Sequence, residues 1–442
     1  MAQFNGRKLL LGAIAAIACV GVPALIATAQ PPAASTDTLI HAGRLLADPA
    51  TGRVLTQQSI LIRNGRIVSV TAGYTAPANG AKVVDLKNSF VLPGLVDSHV
   101  HLTDEQGPDS RINTFLKTSA DRAVDGAGYA LKTVKAGFTT VADLGGDAEA
   151  VLALRNGIAR GTIPGPRIIA SAGAISVHGG HGDANGMPRQ MAEVLRSPAV
   201  CSGADDCARA VRERVRDGAD IIKITATGGV LSNTAAGVSQ QLTDPELAAI
   251  VQAAHMMGRR VTAHAHGTDG INAALRAGVD SIEHGTYLDR ESVRLLRQGN
   301  RYLVPTMMAG WWVGQLAEQG GVLTPAQADK ARRVGPDLVR MVRMAHAAGV
   351  RIAFGTDTGV SPHGMNAREF QLLVDAGYTP LQSIQAATVN AADHLQLNNV
   401  AGRIAPGYAA DIIAVDGDPL TDVATLMNVP FVMARGTTYK ND

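Results

Sequence analysis

At 442 residues the chain is too long for one small domain and suits a barrel of about 250 residues carrying an accessory domain. Hydrophobic residues make up 46% and charged residues 18%, which excludes a disordered chain and fits a well-buried globular one. The formal charge of +2 is matched by Arg7 and Lys8 alone, and no basic patch interleaved with aromatics follows, which excludes nucleic acid as a partner.

Residues 1–29 read as an export signal. Arg7-Lys8 form the positive end, LLLGAIAAIACVGVPALIA the apolar core, and Ala27-Thr28-Ala29 the small-residue cleavage site before Gln30. Gly12, Gly21 and Pro23 interrupt the core and argue against a transmembrane anchor; lipid anchoring through Cys19 is the alternative. No later apolar run is long enough to span a bilayer, so the mature protein is expected to be periplasmic or secreted without a membrane span.

A Pro/Ala/Ser/Thr linker covers residues 30–37. Residues 38–90 then read as short strands (TLIHAGRLL, SILIRNG, RIVSV) separated by Gly and Asn punctuation, and residues 399–442 have the same texture. The economical arrangement is one small β-sandwich built from both ends, with a larger domain over 91–398 inserted between them. That middle region alternates strands and amphipathic helices. FVLPGLVDSHVH, TTVADLGG, RIIASAG, IIKITATGG, RVTAHAHG, SIEHG, YLVPTMM and RIAFGTDTG are the strand candidates. CARAVRERVRDGA, DPELAAIVQAAHMMG and TPAQADKARRVGPDLVRMVRMAHAAG are helical stretches between them. This pattern predicts an α/β fold of the TIM (β/α)8 barrel type. No glycine-rich dinucleotide loop follows the first strand, which counts against a Rossmann arrangement. A helical pair, HGMNAREFQLLVDAG and TPLQSIQAATVNAADHL, leads back to the β-rich end. Cys201 and Cys207, in CSGADDC, point to a small disulfide-closed loop, with two free thiols as the alternative.

His99-Val100-His101 ends the first strand candidate. A strand's period of two aims both imidazoles to one side, which is half of a first-row metal site. Lys223 sits inside the apolar strand ADIIKITATGG, where an unpartnered charge is costly. His264 and His284 close the fifth and sixth candidates, and Asp357 closes the eighth. Each alone has a mundane reading; together, at strand ends where parallel α/β enzymes keep their chemistry, they point to a metal-dependent site. His178 and His181, in the glycine-rich VHGGHGD, are candidate substrate contacts, as is Tyr287 just past His284. His363 and Glu369 follow the eighth strand and are placed to shape the pocket or support ligands. His41, His255 and His346 lie away from strand ends and read as structural.

The set of a strand-one His-x-His, a strand-four Lys, single histidines on strands five and six, and a strand-eight Asp resembles the amidohydrolase superfamily over nearly all of the mature chain. HGGHGDANG, the CSG…ADIIKITATGGVLS block and HGMNAREFQLL narrow the resemblance to the imidazolonepropionase-like group with Xaa-Pro dipeptidases and ochratoxinase-like amidases. The resemblance implies a binuclear centre of two divalent cations, zinc expected, with manganese, iron and cobalt also compatible with His and oxygen ligands. It implies that Lys223 is carboxylated on its amine (N6-carboxylysine) and bridges the pair, with His99, His101 and Asp357 on one cation and His264 and His284 on the other. Asp357 would take the proton of the attacking water and pass it to the leaving nitrogen. The implied reaction is hydrolysis of an amide in a dipeptide or N-acyl amino acid. A cyclic amide, lactone or phosphoester is the alternative, and a non-catalytic metal- or ligand-binding barrel a further one. Barrels of this kind also associate, so a homo-oligomer is compatible with the resemblance.

Overall fold

The computed structural model describes residues 37–78, 80–233 and 237–442, so the expected export signal and nearly all of the linker lie outside the described residues. Four strands open the described chain: β1 (Thr38–Leu45), β2 (Leu55–Arg63), β3 (Arg66–Ala72) and β4 (Lys82–Pro93). β1 pairs antiparallel with β2 and parallel with β4, leaving β3 on the edge beside β2.

The chain then enters alternating strands and helices. β5 (Leu95–Val100), β6 (Phe138–Asp143) and β7 (Arg167–Ala170) form one parallel sheet. A short parallel pair follows, β8 (Ser176–Val177) with β9 (Val200–Cys201), and beside it Cys201 is disulfide-bonded to Cys207. β10 (Ile222–Thr225), β11 (Val261–Ala265), β12 (Ser281–His284), β13 (Tyr302–Val304) and β14 (Arg351–Ile352) form a five-stranded parallel sheet. Isolated bridges join these parallel parts: Ile175, just before β8, pairs with Ile224 of β10, and Val100 of β5 pairs with Thr358 beyond β14. Every one of the eight strand candidates read from the sequence contributes a strand, each trimmed by residues that carry loops or helix starts instead.

Two trims matter for the site. FVLPGLVDSHVH is two strands, because Gly94 ends β4 in one sheet and lets β5 start in another. A Cβ at Gly94 would lie 2.2 Å from Thr139 Oγ1, so the crossing admits no side chain. In YLVPTMM the strand stops at Val304, and Met307 begins a helix, Met307–Gln319, that pairs with Pro325–Ala347. The second of these starts at a capping box, in which Thr324 Oγ1 accepts from Gln327 N–H (3.3 Å) and Thr324 N–H donates to Gln327 Oε1 (2.9 Å). The same device opens Asp244–Met256, where Thr243 N–H donates to Glu246 (2.8 Å).

β15 (Ile412–Val415), β16 (Phe431–Ala434) and β17 (Thr437–Asn441) return to the first sheet. The result is a seven-stranded sheet in the order β17-β16-β15-β4-β1-β2-β3, drawn from both ends of the chain. Its face buries Ile40, Ile60, Ile412 and Phe431, while a separate core of Val100, Phe138, Ile224, Val261 and Ile282 lies among the parallel strands and their helices. Each such side chain contributes about 1.5–3 kcal/mol on burial. No helix among the described residues is long and apolar enough to cross a membrane.

The Gly94 crossing sets where β5 begins, and hence where its histidines end up. Gly94→Ala is expected to lower stability by about 1–3 kcal/mol through overpacking against Thr139, read as a lower melting temperature than that of a Gly107→Ala control, where a Cβ would meet nothing within 4 Å.

Candidate active site

The strand ends converge on a cavity of about 400 Å³ lined by His99, His101, His181, Lys223, His264, His266, His284 and Asp357. Parallel pairing explains the convergence: His264 ends opposite Glu283 and Ala265 opposite His284, so the C-terminal residues of adjacent strands share one rim. His284 and Asp357 hold left-handed backbone, with φ of 68° and 58°, and Thr306 does so at 48°. For residues other than glycine this costs about 1–3 kcal/mol each, and such strain collects at functional sites.

Two groups of donors face the cavity. The donor atoms of His99, His101 and Asp357 lie within 4.8 Å of one another, as do those of His264, His266 and His284. Lys223 reaches the first group, with Nζ 3.2 Å from His99 Nε2. Asp357 Oδ1 lies 3.0 Å from His101 Nε2 and 3.5 Å from His99 Nε2, yet it is buried without a hydrogen-bond partner. An orphaned carboxylate oxygen among imidazole nitrogens is a poor protein interior and a good cation site.

The imidazoles are oriented from behind. His99 Nδ1 contacts Glu283 Oε2 at 2.8 Å, which leaves Nε2 for the cavity. Glu283 is fixed in turn by Thr262 and by Ser281, whose Oγ is 3.2 Å away. His284 Nδ1 contacts Thr306 Oγ1 (2.6 Å), and His266 Nδ1 contacts Thr286 Oγ1 (2.7 Å).

Burial favours the neutral form of His99, His181, His264, His266 and His284, whereas at His101 the pull of Asp357 outweighs burial and raises the imidazole above the ordinary histidine range. Burial lowers His264 and His284 well below the ordinary histidine range, with the neighbouring histidines adding to the effect. Burial likewise pushes His266 down to about 3 and His181 to about 4. Neutral imidazoles keep the lone pair that a cation needs. Burial also lowers Lys223, against the pull of Glu283, Asp357 and Asp143. Burial would raise Asp357, but His99 and His101 beside it hold it well below the usual carboxylate range, so it is ionised.

The structure thus brings together all six residues read from the sequence as metal ligands, and one of the four candidate substrate contacts. His181 lines the cavity, with its ring 4.3 Å from that of His264. His178 is exposed, bonded to Ser202 Oγ at 2.7 Å. Tyr287 lies behind the rim, its N–H donating to the His266 carbonyl (3.0 Å). His363 stacks on Tyr129, and its Nε2 contacts the Asp104 carbonyl at 2.9 Å. None of these three lines the cavity. Glu369 accepts from the Met307 (3.1 Å) and Met308 (2.6 Å) N–H groups, so it fixes the start of the helix that walls the cavity. His41, His255 and His346 serve structure, contacting the Thr75 carbonyl, Asp280 and Tyr378.

Sequence reasoning missed three residues. His266 forms a second His-x-His with His264, the same period-two signal as His99 and His101. Glu283 is a carboxylate inside the short buried strand SIEH, as costly there as Lys223 is in its own strand. Lys330 reads as the polar face of a helix, yet it is buried, and its Nζ donates to the carbonyls of Gly229 (2.7 Å) and Ser232 (2.6 Å). It thereby pins the loop whose Gly228 carbonyl lies 3.4 Å from His264 Nε2.

Comparison with known proteins agrees with this geometry. Residues 90–438 match the model of the amidohydrolase family. The ochratoxinase of Aspergillus niger is 34% identical over 441 residues, covering 92% of this chain and 88% of the relative. A crystal structure of that ochratoxinase superposes with a TM-score of 0.79 at 30% identity, over 92% of this chain and 96% of the other. A crystal structure of a Xaa-Pro dipeptidase with methionine bound in its active site gives a TM-score of 0.86 at 38% identity, over 92% of this chain and all of the other. The chain belongs to the amidohydrolase family and is a hydrolase acting on amide bonds.

Proposed function

We propose that the protein is an exported binuclear metal-dependent amidohydrolase that cleaves the amide of a dipeptide or an N-acyl amino acid. The observation that carries this reading is the pair of donor groups on one cavity, with Lys223 on the same wall and against His99 of the first group. His99, His101 and Asp357 would hold one divalent cation; His264 and His284, joined by His266, would hold the other. Lys223 carboxylated on Nζ would bridge them, which replaces a buried ammonium by an anionic oxygen donor. Zinc is the expected metal, given imidazole and oxygen donors. The bound cations would supply a water ionised near neutral pH and a polarised scissile carbonyl.

The remaining work falls to side chains of this chain. Asp357 is ionised and lines the cavity, so it can accept the proton of the attacking water and return it to the departing nitrogen. Glu283 holds His99 in the tautomer and orientation that present Nε2. His181, neutral and facing the same cavity, is placed to bond the substrate's carbonyl or carboxylate. The named activities of the dipeptidase and ochratoxinase relatives support the substrate class.

The larger architecture is part of the same proposal. The eight parallel strands, linked by the Val100–Thr358 and Ile175–Ile224 bridges, are read as a (β/α)8 barrel over 91–398. The sheet with its own core is read as the β-sandwich built from 38–90 and 399–442. The basic, apolar and small-residue pattern of residues 1–29 supports export.

Asp357→Asn is expected to lower kcat by about 10²–10⁴-fold while the chain stays folded, measured with a panel of dipeptides, N-acyl amino acids, lactones and phosphotriesters. Turnover of only the lactones and phosphotriesters would overturn the substrate class, and near-full amide turnover by the variant would overturn the role of Asp357. Removing divalent metal with a chelator is expected to abolish hydrolysis and lower the melting temperature, because a ligand that binds only the folded state stabilises it. Adding zinc back restores both; an unchanged melting temperature and activity after chelation would contradict the metal reading.

A further inference from the structure

Beyond the histidines, the cavity is walled by apolar groups from the helices Met307–Gln319 and Pro325–Ala347, among them Val313, Val334 and Leu338. Of the described residues lining it, only Lys223 and Asp357 carry formal charge, and both belong to the donor set. The helical side therefore suits a neutral, apolar part of the substrate.

A second cavity of about 500 Å³ lies along the same helical pair and reaches the surface, lined by Trp311, Gly314 and Gly335 with exposed Glu318 and Arg332 at its edge. Gly310 and Leu338 line both cavities. The two helices touch there almost backbone to backbone, since a Cβ at Gly335 would lie 3.3 Å from the Gly310 carbonyl oxygen. A Cβ at Gly310 would lie 2.8 Å from Leu338 Cδ1, so Gly310 offers no side chain and Leu338 fills the gap alone. Leu338 is only 3% exposed, yet its side chain has space on two sides.

We propose that Leu338 is the specificity-determining residue that sets how long an apolar group the enzyme accepts beside the scissile amide, as the partition between the reaction cavity and the neighbouring groove. The inference rests on the reading of the cavity as the active site. A straight apolar chain anchored at the histidine cluster runs along Val313 and Val334 until it meets Leu338. A smaller residue at 338 joins the two cavities and admits a longer chain; a larger one shortens the limit.

The test uses the metal-loaded full chain and a straight-chain alkyl hydroxamate series, from acetyl to dodecanoyl. The hydroxamate head anchors at the metals and the tail probes the wall. Binding is read by the fluorescence of Trp311 and Trp312, the chain's 2 tryptophans, both on the helix that carries Gly310. In the unsubstituted protein, affinity should rise about fourfold per methylene and stop rising when the tail reaches Leu338. Leu338→Ala should move that break to tails longer by about three carbons or more, the number removed from the side chain. Leu338→Phe should move it to shorter tails. Opposite displacements separate this role from general damage, which weakens every member and leaves the break in place. If Leu338→Ala does not fold, Leu338→Val and Leu338→Phe carry the comparison. A break at one length in all the proteins overturns the assignment of Leu338 and leaves the active-site reading standing. Absence of binding by every member overturns both.

Discussion

The burial of Lys223 is the constraint around which the rest of the site is arranged. An ammonium removed from water carries an effective penalty of several kcal/mol, and this one lies in a four-residue buried strand with an imidazole nitrogen 3.2 Å away. Glu283, Asp357 and Asp143 pull against the desolvation without making a direct ion pair with it. A protein that needed only a stable interior would place an apolar side chain there. On the proposed reading the amine is consumed by carboxylation, and the surrounding carboxylates and neutral imidazoles are ordered for cations instead.

The scaffold meets that constraint by drawing the donors from several neighbouring strands: His99 and His101 from the end of β5, Lys223 from β10, His264 and His266 from the end of β11, His284 from β12, and Asp357 from beyond β14. Parallel pairing aligns the strand ends, and left-handed His284, Thr306 and Asp357 lie at the same rim. Behind the rim, Glu283, Thr306 and Thr286 fix one nitrogen of each of three imidazoles, so that the other is directed inward. Catalytic geometry of this kind depends on supporting groups as much as on the ligands they hold.

The parts legible in the sequence were those that repeat with a period or break one. Alternating strands and helices are visible because apolar runs and amphipathic stretches differ in spacing. The ligand candidates are visible because His, Lys and Asp sit at the ends of those runs. His266 carries the same His-x-His signal as His99 and His101, but His264 alone completes the pattern of single histidines on strands five and six. Glu283 carries the same signal as Lys223, a charge inside a short buried strand. By contrast, Lys330 had no local signal: its burial comes from two carbonyls about 100 positions earlier in the chain. His178, Tyr287 and His363 show the converse. None of them lines the cavity: His178 is bonded to Ser202, His363 stacks on Tyr129, and Tyr287 is held by its backbone N–H on the His266 carbonyl. The wall formed by Gly310 and Leu338 depends on how two helices cross, which neither helix shows by itself.

The account stands or falls on whether the two donor groups hold two cations. The most direct measurement is elemental analysis of the full chain purified in the presence of zinc and bicarbonate, with protein concentration determined independently. The account predicts about two equivalents of divalent metal per chain, as a site built for a two-metal displacement requires. One equivalent or fewer would contradict it, because Lys223 would then be a buried lysine without the function that explains its place.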